Sequence, residues 1–164
     1  MIITFIHTKD DIQKAVKQDS SYLGERTRDE NGDVMFDQIV YDEEYEIQFK
    51  RLFLDAQVPL IEACLAYLKT IPAGAEYIDN QDFDVDQDFI IQLGMPDDFL
   101  PNSRKIIDIR MRRFLIAHIL YSWLKDKLPQ AAAIYKNELD PLLDGIKSSL
   151  NTRMTVQRTK GRLF

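Results

Sequence analysis

The sequence predicts a mainly α-helical protein: a small helical bundle or hairpin core with an irregular acidic loop region and an extended C-terminal arm. Three observations carry that prediction. Between 103 and 128, Ile107, Met111, Phe114, Leu115, His118 and Tyr121 recur three or four apart, the spacing of one helix face. Phe49, Leu52, Phe53 and Ala56 repeat the pattern earlier in the chain, and Leu60, Ile61, Cys64, Leu65 and Leu68 resume it after Pro59. A third periodic run, 131–150, follows the second across only Pro129, so the last two helices should form an antiparallel hairpin.

In chain order, IITFI at 2–6 is a short apolar run that suits a strand or a packed arm. Thr8 followed by Asp10 and Asp11 marks a helix start, continuing through Ile12, Ala15 and Val16. Residues 19–31 are polar, and Asn31-Gly32 is a turn signal. VMFDQIVY at 34–41 has strand-like composition but imperfect alternation. Asp42 stands as an N-cap, with Glu44 and Glu46 in the first turns of a helix that should be kinked or divided at Pro59 and stop near Ile71-Pro72. Residues 75–101 form the main irregular stretch, with room for a short strand at 89–93. Trp123, Leu124 and Leu128 support the 103–128 helix, and Pro129 closes it and opens the next. Asp140-Pro141 is either a kink or a fresh cap. The division expected is one domain over 1–152, elaborated around 72–101, followed by an arm over 153–164.

A chain of 164 residues ordinarily makes one domain that hides roughly two-thirds of its unfolded surface. The 45% apolar and 29% charged fractions are those of a globular protein. No run approaches about 18 uncharged apolar residues, which argues against a bilayer-spanning helix. MIITFIHTKDD lacks the basic start and small-residue site of a signal peptide. Cys64 alone can form neither an internal disulfide framework nor a cysteine-based zinc cluster, and IEACLAYL reads as a setting for a buried thiol. An intracellular protein, or one assembled inside a cell, is the expectation.

Charge is unevenly distributed. Residues 1–98 hold 22 acids and 8 bases, whereas 99–164 hold 5 acids and 13 bases. Opposed halves suit either head-to-tail association between subunits or neutralisation within one fold. Two stretches concentrate the asymmetry. Asp82, Asp84, Asp86 and Asp88 alternate in DFDVDQD, so an extended backbone would put all four carboxylates on one face, with Phe83, Val85 and Gln87 opposite. Counted as a calcium loop, the glycine position is Gln87 and the twelfth position is Leu93, which argues against an EF-hand. The row reads as a solvated loop or as an acidic interface or channel lining. The other stretch is the tail, where Arg153, Arg158, Lys160 and Arg162 are interspersed with Met154, Val156, Leu163 and Phe164. Those residues have the composition of an arm that docks on another protein surface.

Motifs for chemistry are sparse. His7 and His118 stand apart, without HExxH or zinc spacing, and there is no GxSxG elbow, P-loop or GxGxxG. No catalytic residue, metal ligand or cofactor is assigned. Arg110, Arg112 and Arg113 with the tail bases could touch nucleic-acid phosphates, but the chain is acidic overall and carries no recognition-helix signature. Two other readings stay open: a helical protein-binding or regulatory module using Tyr121 and Trp123, and an enzyme using distributed carboxylates around Glu62, the acidic loop and His118.

The periodic run over 49–68, then RRFLIAHILYSWLKDKLP at 112–129 and AAAIYKNELDPLLDGIKSSL at 131–150, resembles the helical core of tailed-bacteriophage head–tail connector (head-completion adaptor) proteins over about 100 residues. The motifs are hydrophobic and loosely spaced, and residues 72–101 exceed a minimal connector. The resemblance implies a homo-oligomeric ring, commonly a dodecamer, stacked between the portal protein and the next neck or tail component. It implies a structural conduit for viral DNA in the virion neck, assembled in the host cytoplasm, with no enzymatic activity and no membrane. Residues 154–164 match the position of the docking arm.

Overall fold

The computed structural model describes residues 1–70 and 88–154. Among them are strand β1 (Ile2–His7), helices α1 (Lys9–Arg26), α2 (Phe36–Ile39) and α3 (Glu46–Cys64), strands β2 (Leu68–Thr70) and β3 (Phe89–Gly94), and helices α4 (Ser103–Leu124) and α5 (Pro129–Asn151). The protein is mainly helical, as its periodicity predicts. A three-stranded antiparallel sheet in the order β1-β3-β2 completes it.

Helix α4 is apolar on more than one side because it packs against α1, α3, α5 and β1 together. Its side chains Ile107, Met111, Phe114, Leu115, Ile119 and Leu120 are buried. The α4–α5 hairpin is antiparallel: Arg113 meets Glu138, while Arg110, one turn earlier, meets Gly145 and Ser149, further along α5. Pro129 at the first turn of α5 leaves no intrahelical donor wasted. Pro141 lies inside α5 and begins no new helix.

Several local expectations are corrected. Pro59 does not divide α3, because Phe49, Phe53 and Ala56 before it and Leu60 and Cys64 after it bury one continuous stripe. The helix stops at Cys64, earlier than the apolar period suggests. Leu65–Tyr67 tighten into a 3-10 turn and Leu68 enters β2 opposite Leu93, so Leu68 serves the sheet. Residues 34–41 form no strand beyond a bridge from Val34 to Arg28; Phe36–Ile39 is a helical turn. Asp42 precedes a 3-10 turn at Glu43–Tyr45, its carbonyl accepting from the Tyr45 N–H at 3.0 Å, and α3 itself begins without a side-chain cap. Helix α4 ends at Leu124, before Leu128.

Other signals are met as read. Thr8 caps α1, its hydroxyl accepting the Asp11 N–H at 3.3 Å. Gly32 turns with φ +85°, and the Asp29 carboxylate accepts the Asn31 and Asp33 N–H groups at 2.8 Å. Inside, β1 and β3 turn Ile3, Phe5, Phe89, Ile91 and Leu93 toward the helices. Trp123 is the junction of the other end. Its indole N–H donates to the Ile39 carbonyl at 2.8 Å, its ring meets Tyr41 and Tyr45 edge-on, and the Lys127 ammonium sits 3.3 Å from its centre. None of the described helices is long and apolar enough to cross a membrane.

Candidate interaction surfaces

The root of the basic tail is built into the fold. After α5, the chain turns extended at Thr152 and bridges antiparallel to residues 98–100. The Met154 N–H donates to the Asp98 carbonyl at 2.7 Å, and the Leu100 N–H donates to the Thr152 carbonyl at 3.4 Å. Arg153 is the anchor. Its guanidinium donates to the Leu150 carbonyl at 2.8 Å and the Tyr67 hydroxyl at 2.9 Å, and pairs with Asp98 at 3.4 Å. Tyr67 in turn donates to the Asn151 side chain at 2.6 Å. Arg153 is therefore occupied by its own chain, while Met154 beside it is exposed. Val156, Arg158, Lys160, Arg162, Leu163 and Phe164 lie outside the described residues.

Of the acidic row, Asp82, Asp84 and Asp86 also lie outside the described residues. Asp88 has a definite role. Its carboxylate accepts the Lys9 N–H at 2.9 Å, placing a negative group on the first turn of α1. A carboxylate there satisfies an orphan donor and faces the positive end of the helix dipole. The Lys9 side chain, 7% exposed, reaches Glu46 at 3.3 Å. Asp88 thus fastens the start of β3 to α1.

The three helix arginines are engaged within the protein. Arg110 donates to the Gly145 carbonyl at 2.6 Å and the Ser149 hydroxyl at 2.7 Å. Arg112 meets Asp11 at 2.9 Å, holding that carboxyl below its usual range, and Arg113 binds Glu138 with two nitrogens. A phosphate backbone would have to displace these partners. Trp123 is equally committed, being 4% exposed, so the aromatic surface expected of a binding module reduces to the half-buried Tyr121. Glu62 is exposed on α3. No cluster of three or more His, Cys, Asp or Glu side chains suited to a metal occurs among the described residues. Burial pushes the Cys64 thiol up to about 12, so the thiolate needed for reaction is scarce at neutral pH.

The histidines carry a signal that spacing could not reveal. His7, at the end of β1, lies flat against Phe89 with ring centres 6.1 Å apart. Its Nε2 is buried with no hydrogen bond among the described residues, 3.6 Å from the Asp108 carboxylate. His118 Nδ1, beside Phe114, is likewise buried and unbonded among the described residues. Burial lowers both below the ordinary 6.5; at His7 the Asp108 charge opposes that shift, Arg112 reinforces it, and Asp11 opposes it weakly. A folded-state value below the unfolded one means the unfolded chain binds protons first. Stability is therefore complete above about pH 6.5 and is lost as pH falls through the lowered folded values. Urea midpoints at pH 7.5 and 5.5 should show this loss, and His7→Phe, which can keep the stack on Phe89, should reduce it. An unchanged pH difference in the variant would mean His7 contributes nothing to it.

No family model, curated protein or solved structure matches the chain.

Proposed function

We propose that this protein is a non-enzymatic assembly subunit, a head–tail connector of a tailed bacteriophage. It forms a ring, commonly of twelve copies, between the portal protein and a downstream neck or tail protein, and the ring conducts viral DNA. The observation that carries the reading is the anchored root of the tail. Arg153 and its partners fix where the segment 155–164 leaves the α4–α5 hairpin, and that segment holds three of the chain's bases and three large apolar side chains. A fixed exit point presents a docking arm in the same place on every copy, which reduces the ordering cost of binding. The internal pairing of Arg110, Arg112 and Arg113 adds support from the other side. It leaves those arginines as fold elements, in keeping with a conduit that passes DNA without gripping it. The virion neck, reached after assembly in the host cytoplasm, is the place this role implies.

Mass measurement of the protein alone and with portal tests the reading. A ring-sized species that joins portal is expected; a stable monomer that never does would overturn it.

A further inference from the structure

We infer that the edge of β1 left uncovered by the described strands is a two-fold docking surface for a second copy of this chain. Met1 and Met95 exchange two bonds, the Met95 N–H to the Met1 carbonyl at 2.8 Å and the Met1 amino group to the Met95 carbonyl at 2.9 Å. Bonded and non-bonded pairs alternate along an antiparallel ladder. With the register Ile3↔Leu93, Phe5↔Ile91 and His7↔Phe89 in the bonded phase, Ile2, Thr4 and Ile6 turn their N–H and C=O groups away from β3. The order β1-β3-β2 leaves no described strand on that side.

Among the described residues, this edge lacks the features that normally block strand addition. It has six residues in unbroken register, with no proline, bulge, lysine or carboxylate. The opposite edge, β2, has three residues, a lysine and a register shift. Beside β1, Thr4, Phe5, Ile6, Arg104, Lys105 and Asp108 line an open groove floored by the first turns of α4. On the solvent face of the sheet, Ile2 and Ile6 are 63% and 58% exposed.

The occupant is a second copy because the edge is complementary to itself. An antiparallel pair centred on Thr4 sets Thr4 against the partner's Thr4 and Ile2 against the partner's Ile6. The outward groups of both strands then meet, and the isoleucines cover one another. The groove is self-complementary in charge as well. Asp108 lies at its His7 end and Arg104 and Lys105 stand one helical turn away. A two-fold through Thr4 reverses that order, bringing the bases of each copy toward the carboxylate of the other. The pair does not depend on the connector reading; in a cyclic ring it would lie between two stacked rings or precede ring assembly.

The full chain at rising concentration tests the inference by sedimentation and amide exchange. Below the concentration at which rings form, the mass should rise from 19.2 kDa to twice that value, with slowed exchange at Ile2, Thr4 and Ile6 in step. Thr4→Pro removes an outward donor, so it should return the mass to one chain while the circular dichroism of the folded chain persists. Thr4→Cys should cross-link to its symmetry mate under oxidation, which reads the contact even within a larger assembly or where the proline variant fails to fold. A monomer at all concentrations, a pair that survives Thr4→Pro, or Thr4→Cys chains that do not cross-link would overturn the proposal. Protection of the three amides independent of concentration would also overturn it, in favour of an occupant from the same chain.

Discussion

Trp123→Ala should unfold this protein more readily than any surface change, lowering stability by about 3–5 kcal/mol. The indole is 4% exposed and joins three parts of the chain: α4, the residues around α2, and the start of α3. Truncation leaves a cavity between Tyr41 and Tyr45 and strands the Ile39 carbonyl, which accepts from the indole at 2.8 Å. Lys127 also loses the ring beneath its ammonium. For a chain of this size, the loss corresponds to a fall in Tm of roughly 10 °C. Trp123→Phe keeps much of the packing and should cost less, the difference reporting the lost hydrogen bond and ring area. Thermal unfolding by circular dichroism checks both variants. Equal stability of wild type and Trp123→Ala would show that this junction does not hold α2 in place.

Removal of residues 155–164 should have the opposite profile, with little effect on folding and a large one on assembly. The described fold closes at Met154, where the backbone still bonds to Asp98. A truncation after Met154 therefore keeps Arg153 and its contacts with Leu150, Tyr67 and Asp98. Stability should change by less than about 0.5 kcal/mol, as for a surface change. Portal attachment should weaken by about a hundredfold or more, the equivalent of about 2.7 kcal/mol. On the proposed docking role, part of the wild-type attachment should fade with added salt, because salt screens the charges of Arg158, Lys160 and Arg162. Arg153→Ala separates the two effects. It removes charge-assisted bonds at the root and should cost about 1–2 kcal/mol of fold stability. Full portal binding by the 155–164 deletion would eliminate the arm.

These variants also divide what the sequence made legible from what it did not. Helices α4 and α5 were readable because Ile107, Met111, Phe114 and Leu115, and later Ile146 and Leu150, keep helical spacing and are buried in the fold. Strand β3 was readable at nearly its true bounds. Strand β2 was hidden because Leu65 and Leu68 continue the period of α3; only pairing with Leu93, far along the chain, takes Leu68 into the sheet. Residues 34–41 misled through their β-branched composition, whereas the fold uses them as a turn whose carbonyl at Ile39 receives Trp123.

Charge was readable as a total and not as a set of partners. Asp88 was grouped with three neighbouring acids, yet its carboxylate holds the first turn of α1. Arg153 was grouped with the arm, yet it belongs to the root that holds the arm's origin. Both assignments depend on residues far along the chain, Lys9 for Asp88 and Tyr67 and Asp98 for Arg153, which local spacing cannot report. Asp82, Asp84 and Asp86 and the arm beyond Met154 stand as the sequence left them.

The most direct measurement of the central claim is electron microscopy of portal particles incubated with the full chain. The connector reading predicts a second ring, coaxial with the portal and absent when residues 155–164 are removed. Portal particles that look the same with and without the chain would contradict it.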